Sequence, residues 1–457
     1  MSHKNKRVVL KRMSKLIKFI LPIFLLIFYF ALISEANAVP SFARQTGQNC
    51  VACHTSFPEL TPFGREFKLN GYTLGEAKMT PFALMIQASN TYLKKNTNGD
   101  GTKNMVKEGD PQLDQFSIFA AGKVNDHLGG FIQWTYANND NGHGGTVGHS
   151  ALDNTDIRLI DNYTIAGKNL LVGINLNNNP TVQDVWNTTP AWGYPYYSSP
   201  WAPAPSASTK IEDMGSPVAG LGGYFWWDRH LYGELSLYGD ASHVFHVLGS
   251  GTSTQDLTRL SGRNNPYWRL AWNEEFGPHS LMLGTFGMQS DIYPDPTIRS
   301  GPTDRYTDIA IDTQYQYISD PSIFTVQSSF IHEKKTLNAS VGSSADNLKD
   351  TLNTFKIKAS YLYDRTYGAT LGYFKTTGSS DSSLYNDGSY LSSKPDYEGY
   401  TAQLDYSYQP NIRVGLIYTG YLKWAGNTSN YLDSSVTGYT RNPSNNNSLF
   451  LNLWFAY

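Results

Sequence analysis

Cysteine is nearly absent from this chain of 457 residues, which contains only Cys50 and Cys53. A structural zinc site needs four ligands, and the chain has no second cysteine pair to complete one. A redox-active C-x-x-C motif belongs in a thioredoxin-like βαβ surround, and no such pattern flanks this pair. The two thiols therefore call for another explanation.

Long apolar runs are also missing. After residue 38 no segment reaches 18 consecutive apolar residues, whereas a transmembrane helix needs about 20. Helical membrane spans are therefore excluded from that part of the chain.

A surplus of positive charge is missing as well. Residues 1–38 hold seven Lys and Arg and one acid, Glu35, which leaves 29 basic against 37 acidic residues in the remainder. The resulting net charge of −8 argues against nucleic acid as a partner, because phosphates attract basic patches.

The beginning of the chain has the pattern of a secretory signal peptide. Its first 18 residues are basic and contain no acid, and fifteen apolar residues follow from Phe19 to Ile33. Ala36-Asn37-Ala38 then forms an A-x-A site, so we expect residues 1–38 to be a signal peptide cleaved after Ala38. The alternative is a membrane anchor, for which fifteen apolar residues are short.

Alternation of apolar and polar residues recurs from residue 81 to the end. In TFKIKASYLY, for example, Phe355, Ile357 and Ala359 share one face of a strand, while Lys356 and Lys358 share the other. Such alternation over about ten residues is typical of transmembrane β-barrel strands, although a soluble sandwich with one wet face produces it too. We predict strands near 82–94, 112–124, 129–138, 155–165, 169–178, 217–227, 230–239, 265–275, 278–288, 305–317, 321–332, 351–363, 367–376, 397–408, 411–423 and 446–457.

The connections between these strands favour the membrane barrel. Tight turns such as NDHL at 125–128 and YDRT at 363–366 alternate with long loops, as periplasmic turns alternate with external loops. Aromatic residues make up 14% of the chain, enough for girdles at both membrane interfaces. The predicted fold class is all-β: a 16-stranded antiparallel outer-membrane β-barrel over 81–457, surrounded by outer-membrane lipid.

The cysteine pair has the C-x-x-C-H spacing of covalent c-type haem attachment. Cys50 and Cys53 would each bind one vinyl group, and His54 would ligate the iron; a disulfide, favoured by export, is the alternative. Two cysteines allow one haem c. Met79 is the candidate for the second axial ligand, with Met85 or a barrel histidine as alternatives. Arg44 is the candidate partner of a haem propionate, with a solvated side chain as the alternative.

The segment around the motif, VPSFARQTGQNCVACHTSFPELTPFGREFKLNGYTL, resembles the N-terminal motif of the fused monohaem cytochrome–porin family of the bacterial outer membrane, which includes iron oxidases. The matching residues are Pro40, Phe42, Ala43, Arg44, Gln45, Thr46, Gly47, Cys50, Cys53, His54, Pro58, Leu60, Phe63, Gly64, Phe67, Lys68, Gly71 and Tyr72. The resemblance covers roughly 35 residues; the rest resembles the family only in plan.

The resemblance implies electron transfer across the outer membrane through the haem. The extracellular donor would be Fe(II), the acceptor a soluble periplasmic electron-transfer protein, and the activity that of an Fe(II):cytochrome c oxidoreductase. We expect residues 39–80 to form a small helical segment that the haem stabilises, because so short a segment cannot build a core of its own. We expect this segment to plug the lumen, because a sixteen-stranded barrel is wide enough to contain it. The alternatives are a diffusion porin with a structural or sensory haem segment, and a soluble periplasmic cytochrome fused to an all-β binding module.

Two predicted loops carry further candidates. Asp140, His143, His149 and Asp153 lie in 138–154, and Asp240, His243 and His246 open 240–264. Imidazole and carboxylate groups suit iron, but solvated loop residues without a binding role are the alternative. The loop at 189–206 is unusually aromatic, so we expect it to cover the mouth of the barrel or to contact a partner.

Overall fold

The computed structural model describes residues 41–77, 80–103, 105, 108–140, 146–215, 218–251 and 259–457. Within these ranges the chain forms sixteen long antiparallel strands and one strand of two residues. The strands are β1 Phe82–Leu93, β2 Gln112–Lys123, β3 Leu128–Asp140, β4 Thr146–Ile165, β5 Lys168–Asn177, β6 Val218–Trp227, β7 Leu231–Asp240, β8 Arg259–Leu260, β9 Asn265–Phe276, β10 His279–Tyr293, β11 Asp304–Ser319, β12 Ser322–Thr336, β13 Lys349–Tyr363, β14 Tyr367–Gly378, β15 Tyr397–Gln409, β16 Ile412–Lys423 and β17 Ser448–Ala456.

The sheet closes on itself. Each long strand pairs with the next one along the chain, with β7 pairing directly to β9, and β17 pairs with β1 from Met85↔Ala456 to Leu93↔Ser448. The two-residue strand β8 pairs with the far end of β10. Because the ring of long strands is complete, the backbone groups of these strands find partners within the sheet, as a bilayer requires.

The two faces of the sheet have opposite polarity. On β11, Ile309 and Ile311 are 50% and 63% exposed on the outer face, while Asp308 and Gln314 are each 1% exposed on the inner face. Apolar residues outside and polar residues inside are the pattern of a barrel embedded in lipid. The predicted 16-stranded outer-membrane barrel is therefore confirmed.

The main departure from the predicted secondary structure lies between residues 138 and 154, where β3 and β4 extend into a predicted loop. We expected a loop there, but β3 runs to Asp140 and β4 begins at Thr146, with pairs such as Tyr136↔Ser150 and Ala137↔His149. Polar residues on both faces hide the strand in the sequence, because a hairpin that extends into water needs no apolar face. The predicted tight turns at 125–128 and 363–366 both join neighbouring strands.

Within residues 41–77, three short helices precede the barrel strands: α1 Ser41–Thr46, α2 Cys50–Cys53 and α3 Pro62–Leu69. We call residues 41–77 the lumen segment, because its side chains contact strands around the inside of the barrel, from Asp156 on β4 to Arg413 on β16. The prediction that the N-terminal segment plugs the lumen is confirmed for these described residues. None of the helices in the described ranges is long and apolar enough to span a bilayer.

Residues 178–215, between β5 and β6, form a second element inside the barrel, here called the inserted loop. Trp186 is 1% exposed and packs with Leu60 and Leu69 of the lumen segment and Ile160 of β4. The largest apolar clusters thus lie within the lumen.

The loop at 189–206 lies partly in the lumen, where Trp192 donates to the Val182 carbonyl at 2.6 Å, and partly at the mouth, where Trp201 packs with Leu93 at the end of β1 and with Met105. The predicted position at the mouth therefore applies to the second half of this loop.

Candidate functional site

The two cysteines lie on a single helical turn whose geometry is fixed by backbone hydrogen bonds. The His54 N–H donates to the Cys50 carbonyl at 2.9 Å. Thr61 caps the following helix, α3: its Oγ1 accepts from the Gly64 N–H at 3.1 Å and donates to the Ala52 carbonyl at 2.5 Å. The cap therefore holds α3 against the C-x-x-C-H turn.

Gly64 allows a close approach between α3 and that turn. A Cβ atom built at Gly64 would lie 2.1 Å from the Cys53 carbonyl oxygen, a backbone atom that has no freedom to rotate away. The same carbonyl accepts the Thr61 N–H at 2.9 Å. Only glycine fits here, since any side chain would push α3 away from Cys53.

The C-x-x-C-H motif lines a cavity of about 320 Å³ inside the barrel. This volume lies in the range of about 300–1,000 Å³ that small-molecule and cofactor sites occupy. Cys50, Cys53 and His54 all face it, and aromatic side chains form much of its wall. The aromatic residues of this wall include Phe57, Phe67, Trp192, Tyr194, Tyr196 and Trp454.

His54 is held as a neutral imidazole. Burial lowers its pKa to about 4, with a smaller opposing effect from the Pro58 carbonyl. Its Nδ1 atom is buried and has no hydrogen-bond partner among the described residues. The centroid of its ring lies 5.5 Å from that of the Phe57 ring. A neutral imidazole offers a lone pair, which is what a metal ligand requires.

The two thiols are free rather than joined in a disulfide. Burial raises the pKa of Cys53 to about 11, with a further contribution from the neighbouring Cys50. Both groups are therefore protonated at neutral pH and are not poised as a thiolate redox pair. Two thiols and a neutral histidine on one turn, facing an aromatic cavity of cofactor size, fit a covalently attached haem c.

Met79 lies outside the described residues, so its position as a second axial ligand stays a prediction. Met85 of β1 does line the cavity, is 2% exposed and accepts a contact from Gln87 Nε2 at 3.7 Å. Among the described residues that line the cavity, His54 is the only histidine and Met85 the only methionine. The predicted barrel histidines are thus not part of this wall.

Arg44 does not line the cavity. Its Nη2 atom donates to the carbonyl oxygens of Thr80, at 3.3 Å, and Phe82, so the side chain holds the connection between the lumen segment and β1. Phe63 is 37% exposed and is absent from the cavity wall. Leu60 and Phe67 do line it.

On one side the lumen segment is fixed by polar contacts with the barrel. Arg65, 3% exposed, donates through Nη1 to Gln316 Oε1 at 2.6 Å and through Nη2 to Ser280 Oγ at 2.7 Å and Glu275 Oε1 at 3.2 Å. These partners lie on three neighbouring strands, β11, β10 and β9. One guanidinium group thereby ties α3 to the barrel wall.

Lys68 joins the lumen segment to the inserted loop. Its Nζ donates to the carbonyl oxygens of Val182 at 2.6 Å and Asp184 at 2.8 Å, and lies 4.8 Å from the centroid of the Trp192 ring. Burial lowers its pKa to about 7, while the carboxylate of Asp156 opposes the shift. The ammonium group is thus satisfied by dipoles rather than by a direct ion pair.

Two fully buried arginines complete this side. Arg158 of β4 pairs with Asp156 at 2.8 Å, and Arg269 of β9 pairs with Asp312 at 2.7 Å and with Asp184 of the inserted loop at 3.2 Å. All five side chains have no exposed surface. The sequence analysis missed this network, although alternating charged residues within predicted strands were a signal for lumen-facing ion pairs.

The predicted external ligands do not converge in the described residues. His149 Nε2 contacts the Gly251 carbonyl at 2.6 Å, and Asp153 accepts from Thr135 Oγ1 at 3.0 Å. His143 lies outside the described residues, and in the described part of the chain no group of three or more His, Cys, Asp or Glu residues is arranged to hold a metal ion.

Closed pairing, an apolar exterior and a polar interior make this chain an outer-membrane β-barrel with lipid around its outer face. No family model matches the chain, and no curated protein sequence matches it either. Among solved structures it is similar to OmpT of Vibrio cholerae, with 11% identity over 83% of this chain and 99% of that one and a TM-score of 0.43. It is also similar to OmpF of Salmonella typhi in complex with daunomycin, with 15% identity over 82% of this chain and 97% of that one and a TM-score of 0.48. The anion-selective porin of Comamonas acidovorans is similar as well, with 9% identity over 82% of this chain and 98% of that one and a TM-score of 0.43.

Proposed function

We propose that this chain is an outer-membrane electron-transfer protein that carries one haem c within its barrel. The observation that carries the proposal is that Cys50, Cys53 and His54 face a cofactor-sized cavity inside the lumen. The donor is extracellular Fe(II), and the acceptor is a soluble periplasmic electron-transfer protein. The activity is then that of an iron oxidase, Fe(II):cytochrome c oxidoreductase.

When bound, the haem supplies reversible one-electron chemistry at its iron. Cys50 and Cys53 would hold one edge of the porphyrin covalently, and the neutral His54 ring would ligate the iron. Met79 is proposed as the second axial ligand and Met85 as its rival, because a thioether raises the potential of a c-type haem.

The position of the cavity supports a role in crossing the membrane. Its wall includes Gln48, Asn49 and Arg365 near the short-turn end of the barrel, and Tyr194 and Asn452 deeper in the lumen. A haem placed here shortens the distance that an electron must tunnel across roughly 30 Å of hydrocarbon. A haem hanging below the barrel would not.

The porin-like barrel by itself favours a second function, that of a diffusion porin with a structural or sensory haem segment. The two elements inside the lumen oppose free diffusion, since Arg65, Lys68 and Trp186 are buried between them and the barrel wall. The third possibility, a soluble cytochrome fused to an all-β module, does not agree with an apolar barrel exterior.

The test uses the purified full-length protein in detergent and in liposomes. We expect the absorption spectrum of a c-type haem, with the haem remaining on the chain after denaturation, and reversible reduction of the ferric form by Fe(II), seen as the sharp visible bands of the ferrous form. A control with Cys50→Ala and Cys53→Ala should lack the covalent haem. Solute flux through liposomes that contain the protein, unchanged between the oxidised and the reduced haem, would instead establish the diffusion porin.

A further inference from the structure

The cavity wall carries more positive than negative charge. Of the described residues that line it, four are cationic and two are anionic: Lys68, Lys358, Arg365 and Arg413 against Glu59 and Asp405. A buried cation is unfavourable unless an anion or hydrogen-bond acceptors balance it. The porphyrin edge opposite the vinyl groups carries two carboxylates.

Arg413 of β16 has one buried N–H group that donates no hydrogen bond to the described residues. Its Nη1 atom donates to Ser56 Oγ and to the Phe57 carbonyl, both at 3.0 Å, but its Nε atom is buried without a hydrogen-bond partner. The nearest carboxylate, that of Asp405, lies 3.8 Å away and already accepts two contacts from Gln403, at 2.8 and 3.0 Å. A buried guanidinium nitrogen without a hydrogen-bond acceptor suits a carboxylate oxygen.

Lys358 of β13 is the second cation on this wall. Its side chain is 5% exposed, its Nζ contacts the Glu59 carboxylate of the lumen segment, and it lies 5.2 Å from the centroid of the Tyr194 ring. Glu59 also accepts from Thr55 Oγ1 at 3.2 Å. Lys358 therefore stands where the lumen segment, the inserted loop and the cavity meet.

The other two cations are engaged elsewhere. Arg365 donates to the Val51 carbonyl at 3.1 Å and pairs with Asp320 at 3.2 Å in a neighbouring turn, and Lys68 is bound by two carbonyl groups. Arg44, which the sequence suggested for this role, faces the linker backbone instead.

We infer that Arg413 and Lys358 bind the two porphyrin carboxylates, so that the barrel wall, rather than the cytochrome-like segment, anchors the propionate edge. This inference rests on the proposed function, because it requires the haem. It also gives the barrel a part in setting the redox properties of the cofactor, since both cations lie in a site of low dielectric constant.

The test is a redox titration of purified full-length holoprotein with Arg413→Gln or Lys358→Gln. Removing a cation beside the porphyrin favours the ferric form, so we expect the equilibrium constant for reduction to fall about tenfold in each variant, which is 59 mV for a one-electron couple. Arg413→Lys, which keeps the charge, should retain most of the wild-type value. Haem attachment should be unchanged in all three, and electrophoretic mobility of the unheated protein reports whether the barrel has folded.

Arg44→Gln and Arg229→Gln are the matched controls. Arg229 is also an arginine that contacts the lumen segment, through Glu66, but its side chain is 62% exposed and it does not line the cavity. Wild-type potentials in Arg413→Gln and Lys358→Gln, or a fall in Arg44→Gln alone, would overturn the inference while leaving the proposed function intact. A wild-type protein without haem would overturn both.

Discussion

The two sides of the barrel lumen are built differently. On the side of β4 to β11, here the network side, Arg65, Arg158 and Arg269 fill the space with buried ion pairs and hydrogen bonds. On the side of β12 to β17 and β1 to β3, here the cavity side, the same lumen segment leaves a space of about 320 Å³ beside Cys50 and His54. One side fixes the segment and the other leaves room for a cofactor.

This division implies that holding the segment and holding the haem are separable tasks. If the comparison is right, changes on the network side alter stability first, and changes on the cavity side alter the cofactor first. Variants on each side test whether stability and haem content can be changed separately.

The largest effect is expected from removing both thiols. In a protein with Cys50→Ala and Cys53→Ala, covalent haem should be absent altogether, because no vinyl group has a partner. The barrel should still fold, because the network side does not depend on the haem. Haem-linked peroxidase staining of a denaturing gel measures the first, and mobility of the unheated protein the second. A variant that fails to fold would show that the haem is needed to hold the segment.

The next largest effect should come from Arg269→Met on the network side. It leaves Asp184 and Asp312 buried without their cation, and removing one partner of a buried pair costs about 3–5 kcal/mol. Urea unfolding in detergent micelles gives the free energy, while haem content in the folded fraction should not change.

The matched control for Arg269 is Arg305→Gln. Arg305 pairs with Asp291 at 2.7 Å, but its side chain is 53% exposed, and exposed pairs contribute up to about 1 kcal/mol. Equal losses in the two variants would contradict the importance of the buried network.

A smaller effect, confined to the cavity side, is expected from Gly64→Ala. The added methyl group meets the Cys53 carbonyl oxygen, and such overpacking costs roughly 1–3 kcal/mol. Because α3 must move away from the motif, the yield of protein with covalent haem should fall. In Gly223→Ala, where the nearest atom to the added Cβ is 3.7 Å away, the yield should match the wild type; a fall in both would point to a general effect on folding.

The second axial ligand calls for a spectroscopic comparison of Met79→Leu with Met85→Leu. We expect Met79→Leu to abolish the sulfur-to-iron charge-transfer band of the ferric protein and to lower its potential, while Met85→Leu keeps both. Loss of the band in Met85→Leu alone would transfer the role to Met85, which faces the cavity.

The smallest effect concerns pH. Burial lowers the pKa of Lys68 in the folded protein to about 7, well below its value of about 10.4 in an unfolded chain. Between these values the unfolded chain binds more protons, so the free energy of unfolding should rise as the pH increases from about 7 to 10. In Lys68→Met this rise should be reduced. An unchanged pH profile would show that Lys68 is not neutralised in the folded state.

The sequence predicted the barrel well because each strand must keep one face in lipid and the other in the polar lumen. Sixteen alternating segments were found within a few residues of their positions in the structure. The pattern failed at 138–154, where a hairpin with polar residues on both faces carries no such signal.

The site was only partly predictable. The spacing of Cys50, Cys53 and His54 was enough to predict their role, because residues so close in sequence are positioned by local chain geometry. Arg413 and Lys358 are hundreds of residues away and meet the motif only through closure of the barrel. Arg44 was a candidate because a guanidinium group suits a carboxylate, and its chemistry does not reveal that its side chain donates to the Thr80 and Phe82 carbonyls instead.

The most direct test of electron transfer through a haem held in the barrel uses sealed liposomes that contain the full-length protein and enclose a soluble oxidised cytochrome c. Fe(II) is added outside, and the enclosed cytochrome is followed by absorbance. We predict that it is reduced with the wild-type protein but not with the Cys50→Ala, Cys53→Ala variant, while an enclosed small dye is retained in both. Equal reduction with both proteins, or escape of the dye, would contradict electron transfer through a haem in a closed lumen.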